Sequence, residues 1–133
     1  MQVNEREGIA AYVDDLLKAT TAGAMKWSNV NPSTFVAVTS TAGAPTQIVL
    51  QRVERATANR ERKDVAGNVG RTTDRRTSHS LNVSNQLRGM SISIDGDEDP
   101  RIEEKLSAIY EYAAERLVQE KLDFLRSTLP KLS

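Results

Sequence analysis

The chain has no cysteine. That excludes disulfides and thiolate metal sites, and makes a reducing cytoplasm the expected location. It has one histidine, His79, and no partners at ligand spacing around it, so neither a bound metal nor a cofactor is expected. Six aromatic residues and a hydrophobic fraction of 38% allow a core, but a thin one. A chain of 133 residues then reads as one domain spanning 1–133. Small domains of this kind often complete their burial by oligomerising. No apolar run approaches a membrane span, and Met1–Gly8 is polar and acidic, unlike a signal peptide. There is no Gly-x-Ser-x-Gly, no phosphate-binding Walker loop and no dinucleotide fingerprint, so the sequence points away from an enzyme.

Charge is present but unevenly placed. The formal net charge is zero, which argues against constitutive binding of bulk nucleic acid. Yet Arg52–Arg88 holds nine basic residues against four acids, an excess of +5 that the flanks offset with −5. Such a split suggests an anionic partner for the middle, or association of middle with flank.

The apolar spacing of Ile9, Val13, Leu16 and Leu17 predicts a first helix from about Asn4 to Thr21, closed by Gly23. Thr34–Thr41 and Thr46–Ala56 read as two strands joined by the loop Ala42–Pro45. Thr57–Thr77 has Val65 and Val69 as its largest apolar residues, and reads as a flexible basic loop or an extended hairpin tip. Ser80–Ser84 and Arg88–Asp95 resume alternation, as two short strands or one bulged strand. Asp99 and Pro100 open the longest helix, which Pro130 stops. The fold class expected is α+β: a helix, a three- to four-stranded antiparallel sheet and a long C-terminal helix. That helix exceeds the cover one small sheet provides. Leu122, Phe124, Leu125 and Leu129 on its distal half should pack on another subunit, making a homo-oligomer through the C-terminal helix.

Among candidate sites, His79 beside Ser78 and Ser80 reads as incidental. Asp95, Asp97 and Asp99 lack the glycine and glutamate that a calcium loop requires, and read as caps. The ligand-binding candidates are Arg71, Arg75 and Arg76, mixed with hydroxyl residues that commonly contact phosphate and sugar oxygens. Arg52, Arg55, Arg88 and Arg101 follow them, and Arg101 with Lys105 offers a second anion site at the helix start.

The stretch Leu16–Trp27, with its Gly23-x-x-Lys26-Trp27 ending, resembles the opening of small uncharacterised bacterial and phage helix–sheet–helix proteins. A strand carrying Phe35, then Asp99–Pro100–Arg101, Ile109–Tyr110 and Ala113, continue the likeness. In architecture the chain is similar to phage Thoeris anti-defence sponges, which sequester cyclic nucleotide immune signals between the sheet of one subunit and the long helix of another. The resemblance implies that Trp27 anchors the first helix. It also implies a cytoplasmic, non-catalytic homo-oligomer sequestering a small phosphorylated, nucleotide-like ligand. A nucleic-acid or protein interaction module using the same arginines is the alternative, and an enzyme such as a phosphodiesterase ranks third.

Overall fold

The computed structural model describes residues 3–41, 44–63 and 69–130, with the backbone alone for residues 3, 4, 41, 44, 55–63 and 69–75. Helix α1 runs Val3–Thr21 and ends as its glycine dictates. Gly23 adopts φ +81°. From there Ala24 N–H donates to Ala19 O at 2.9 Å and Gly23 N–H to Thr20 O at 3.1 Å. These two bonds close the last helical carbonyls in a Schellman motif, which needs a residue tolerant of positive φ.

Five strands follow: β1 (Ser28–Asn31), β2 (Thr34–Thr41), β3 (Ala44–Lys63), β4 (Val69–Asn85) and β5 (Met90–Asp95). They form one antiparallel sheet in chain order. A 3-10 turn, Gly96–Glu98, leads into helix α2, Pro100–Ser127. Asp99 caps α2 by accepting from Arg101 N–H at 2.9 Å, and Pro100 occupies the first turn, where its missing N–H costs nothing. The α+β class thus stands, with five strands in place of three or four.

The extra strand is β1. It carries one apolar residue, is exposed throughout, and is held by its pairing to β2. A short edge strand ordered by backbone bonds leaves almost no apolar pattern to read. The link expected at Ala42–Pro45 is shorter, because Ala44 and Pro45 already pair in β3; 42 and 43 lie outside the described residues. Ser80–Asp95 resolves into the end of β4, a turn and β5. Thr57–Thr77, expected as a flexible basic loop or an extended hairpin tip, lies largely in an extended hairpin: β3 and β4 pair out to Lys63↔Val69. The tip, 64–68, lies outside the described residues.

Register explains the core. Phe35, Leu50, Leu81 and Ile94 form one row across four strands, each at most 3% exposed. Both helices lie on that face: Val13 and Leu16 from α1, and Ile102, Leu106, Ile109, Tyr110 and Ala113 from α2, complete the cluster. The opposite face carries the row Val36, Val49, Asn82 and Ser93. A salt bridge joins the helices, with Asp14 receiving Lys105 at 3.1 Å and Lys18 at 3.0 Å. Those hydrogen bonds, Lys18 first, hold the Asp14 carboxyl below its ordinary range. Beyond Leu117, α2 leaves the core, and Val118, Leu122, Phe124, Leu125 and Leu129 are exposed.

Candidate functional site

The helix-facing side of the sheet changes from apolar to polar one row beyond Leu50 and Leu81. There Arg52 pairs with His79, and both meet α2. His79, 3% exposed, is gripped twice by Glu103. Its backbone N–H donates to Oε2 at 2.9 Å, and its Nδ1 lies 2.6 Å from Oε1. Arg52 Nε donates to His79 Nε2 at 3.4 Å. A guanidinium can only donate, so Nε2 accepts and the ring proton belongs on Nδ1, aimed at Glu103. The Arg52 guanidinium also sits 4.3 Å from the Tyr110 ring centre, a cation–π contact. Tyr110 stacks edge-on against Phe35 at 5.2 Å and donates its hydroxyl to Pro32 O at 3.2 Å.

Gly96 completes this knot. A Cβ there would collide with Glu103 Oε2 and lie 2.8 Å from the His79 carbonyl oxygen, so the 3-10 turn can press on the pair only without a side chain. Glu103, His79 and Arg52 are hydrogen-bonded in series, and the Tyr110 ring carries the guanidinium. The knot's chemistry is structural: it ties β4, β3 and α2 together where the apolar core stops. His79 is therefore not incidental. Sequence reasoning missed its link to Glu103 because the two are 24 residues apart, with no local pattern connecting them.

Of the predicted arginines whose side chains are described, Arg52, Arg76 and Arg101 take separate partners. Arg52 is in the knot. Arg76 pairs with Asp97 at 3.4 Å and Arg101 with Asp99 at 3.4 Å. Lys105, the other half of the proposed anion site, is taken by Asp14. Arg88 lies in the β4–β5 turn, its N–H accepted by Asn85 Oδ1 at 3.1 Å. Arg55, Arg71 and Arg75 sit on β3 and β4, opposite Arg76, Glu61 and Ala56 respectively, and their side chains lie outside the described residues. Past Arg52 and His79 these two strands pair only with each other in the described register. They make a two-stranded ribbon roughly 30 Å long at about 3.3 Å per residue.

A different place gathers cations and rings. The loop after α1 and the middle of α2 enclose a cleft of about 370 Å³, with Lys26, Trp27, Tyr112, Arg116 and Glu120 in its lining. Trp27 is half-buried against the core, and its Nε1 donates to the buried Thr20 hydroxyl at 3.1 Å. Tyr112 reaches back to Thr21 O at 3.4 Å. Tyr112 and Arg116 are one helical turn apart, and the Gly23 motif turns the chain so that Lys26 and Trp27 meet them. Neither Lys26 nor Arg116 forms an ion pair among the described residues. Two uncommitted cations beside two aromatic rings can hold a planar group by stacking and its anionic substituent by charge. Lys26–Trp27 is visible in the sequence, where Trp27 alone reads as an anchor; Tyr112 and Arg116 give no signal. The described residues hold no cluster of three metal-ligating side chains and no helix long and apolar enough to cross a membrane. No family model matches this chain, and no curated protein or solved structure matches it either.

Proposed function

We propose that this protein binds, without turning over, a small anionic ligand of nucleotide type in the cleft formed by Lys26, Trp27, Tyr112 and Arg116. The observation that carries the reading is the pairing of two cations lacking ion pairs with two aromatic rings in one cleft. The lining contributes one carboxylate, Glu120, and no histidine, cysteine or aspartate, which suits retention rather than catalysis. The resemblance read from the sequence to the anti-defence sponges puts cyclic nucleotides first among ligands to test, in a cytoplasmic setting. The proposal includes a homo-oligomer through the C-terminal helix.

Trp27 is the single tryptophan of the chain, so its fluorescence reports the cleft directly. Titration with cyclic mono-, di- and trinucleotides should give saturable quenching with at least one class. Arg116→Ala and Lys26→Ala should each weaken binding about tenfold or more, since a charge-assisted hydrogen bond contributes roughly 1.5–3 kcal/mol. Absence of binding by the wild type to every class refutes the reading.

One observation favours a second reading. The β3–β4 ribbon places Arg55, Arg60, Arg62, Lys63, Arg71 and Arg75 along an arm outside the five-stranded sheet. A two-stranded ribbon fits a nucleic-acid groove and adds little to folding by itself. Binding to duplexes that strengthens with length and falls steeply with salt supports this reading over the cleft.

A further inference from the structure

On α2 the buried residues Ile102, Leu106, Ile109 and Ala113, continued by the half-buried Leu117, define one side of the helix. Val118, Leu122, Leu125 and Leu129 are 54%, 40%, 57% and 68% exposed. Taking about 100° per residue, this second stripe points roughly 140° away from the first. It does not continue the domain's own core. Its spacing of four, three and four residues is the seam of a coiled coil. Leu129 follows the end of α2 in a tight turn, with its N–H bonded to Arg126 O at 3.2 Å. From those fractional exposures the seam offers on the order of 400 Å² of apolar surface, about half of the ~800 Å² per partner of a standard specific interface, so the interface is a small one.

The flanks select the partner and its direction. Lys121 borders one side of the seam and Arg126 the other. In a parallel pair of identical helices, Lys121 of one copy neighbours Arg126 of the second, a like-charge contact at the positions that set orientation. In an antiparallel pair with Leu122 facing Leu125 of the second copy, Val118 faces Leu129 of that copy. Lys121 then meets Thr128 of the second copy, and Arg126 meets Gln119. Every apolar residue of the seam is covered and the cations stay apart.

We propose that two copies of this chain associate as an antiparallel dimer through Val118, Leu122, Leu125 and Leu129. This deepens the oligomer part of the function proposed above and does not depend on the cleft's ligand. Buried area alone does not set affinity, so association is tested at a fixed high protein concentration. Because the core ends at Ala113 and Leu117, breaking the seam should leave a folded monomer.

Sedimentation equilibrium and circular dichroism test this together. The wild type should dimerise at 100 μM, and Leu122→Glu or Leu125→Glu should weaken association about 100-fold with helicity retained. Phe124→Ser, on the other side of the helix, should leave association within about twofold. The chain lacks cysteine, so single cysteines report direction. Val118→Cys should not cross-link to itself, because the two copies of residue 118 lie about 17 Å apart along an antiparallel pair. A mixture of Val118→Cys with Leu129→Cys should cross-link. A wild type that stays monomeric at 100 μM overturns the proposal, as does a Leu122→Glu variant that still dimerises. Ready self-cross-linking of Val118→Cys overturns the antiparallel assignment. Ligand quenching of Trp27 in Leu122→Glu keeps the two claims separate: its loss from a dimeric wild type indicts the cleft alone.

Discussion

Replacing Glu103 with glutamine removes a charge while preserving shape, and the knot around His79 makes the cost calculable. The carboxylate accepts two bonds, from the His79 amide at 2.9 Å and from Nδ1 at 2.6 Å. A glutamine has one acceptor. If its oxygen keeps the amide bond, its NH₂ faces the Nδ1 proton, donor against donor. Moving that proton to Nε2 relieves the clash but sets Nε2–H against Arg52 Nε–H. Either way one charge-assisted bond is lost and one buried donor is left unpaired. Each effect is worth roughly 1.5–3 kcal/mol, and they overlap, so the expected cost is about 2–4 kcal/mol. That is a large part of the ~5–15 kcal/mol typical of a domain. Urea unfolding followed by Trp27 fluorescence and circular dichroism measures it. Arg52→Met keeps an unbranched stem beside Tyr110 and removes the opposing donor. In that background the imidazole can change tautomer freely, so Glu103→Gln should cost at least about 1 kcal/mol less, a coupling read from a double-mutant cycle. A Glu103→Gln cost below about 0.5 kcal/mol, or no coupling to Arg52, would refute the network.

Trp27→Phe should cost about 1–2 kcal/mol by leaving the buried Thr20 hydroxyl without its Nε1 donor, and Trp27→Ala about 2–4 kcal/mol, because the ring is only half-buried; equal melting temperatures for all three proteins contradict the anchoring role. Gly96→Ala should destabilise by more than about 1 kcal/mol through displacement of Glu103 and the close approach to the His79 carbonyl oxygen; a Glu103→Ala background should relieve only the Glu103 share, and a Gly96→Ala protein that melts with the wild type refutes the contact. Asp14 and Asp99 both titrate below their ordinary values, Asp14 through hydrogen bonds from Lys18 and Lys105, Asp99 chiefly through the Arg101 backbone N–H. A lowered carboxyl pKa contributes stability that is present at neutral pH and lost as pH falls through the folded-state value. Stability should therefore decline below about pH 4, and Asp14→Asn with Asp99→Asn should flatten that decline; an unchanged slope in the double variant counts against both contacts.

The parts of the fold legible in the sequence are those whose cause is local. Asn4–Thr21 and the Asp99–Pro100 start of α2 were readable because apolar period, a C-terminal glycine and an N-cap lie within a few residues of each other. Phe35, Ile48 and Leu50 announced strands by alternation. β1 was not legible, because backbone pairing to β2 orders it, not its own side chains. The ribbon was half legible: its lack of apolar residues was seen, but regular pairing can extend from an anchored sheet into sequence that would not order alone. On α2 the apolar residues Ile102 to Leu129 read as a sheet-packed part and a distal surplus by length alone, with no assignment of helix sides. In the structure they divide at Leu117 into a buried side and an exposed one. Steps of three to five residues accumulate a drift that a residue count hides and the folded helix exposes. The cleft was least legible, since Lys26–Trp27 and Tyr112–Arg116 are brought together only by the α1–α2 packing.

The zero net charge hides a division of labour that the structure makes explicit. Four acids of the flanks serve internal contacts: Asp14 ties the helices, Asp97 pairs with Arg76, Asp99 caps α2 and Glu103 holds His79. Of the basic segment, Arg52 and Arg76 at the ribbon's base are engaged by the fold. The fold therefore holds two of the basic side chains where the ribbon leaves the sheet. Docking of one copy's basic middle on another's acidic flank would compete with these contacts for Asp97, Asp99 and Glu103. An apolar seam on α2 has no such competitor, which makes it the better route to self-association. Such an association would also leave the Trp27 cleft open to other partners, because the seam faces away from the side of α2 that lines the cleft.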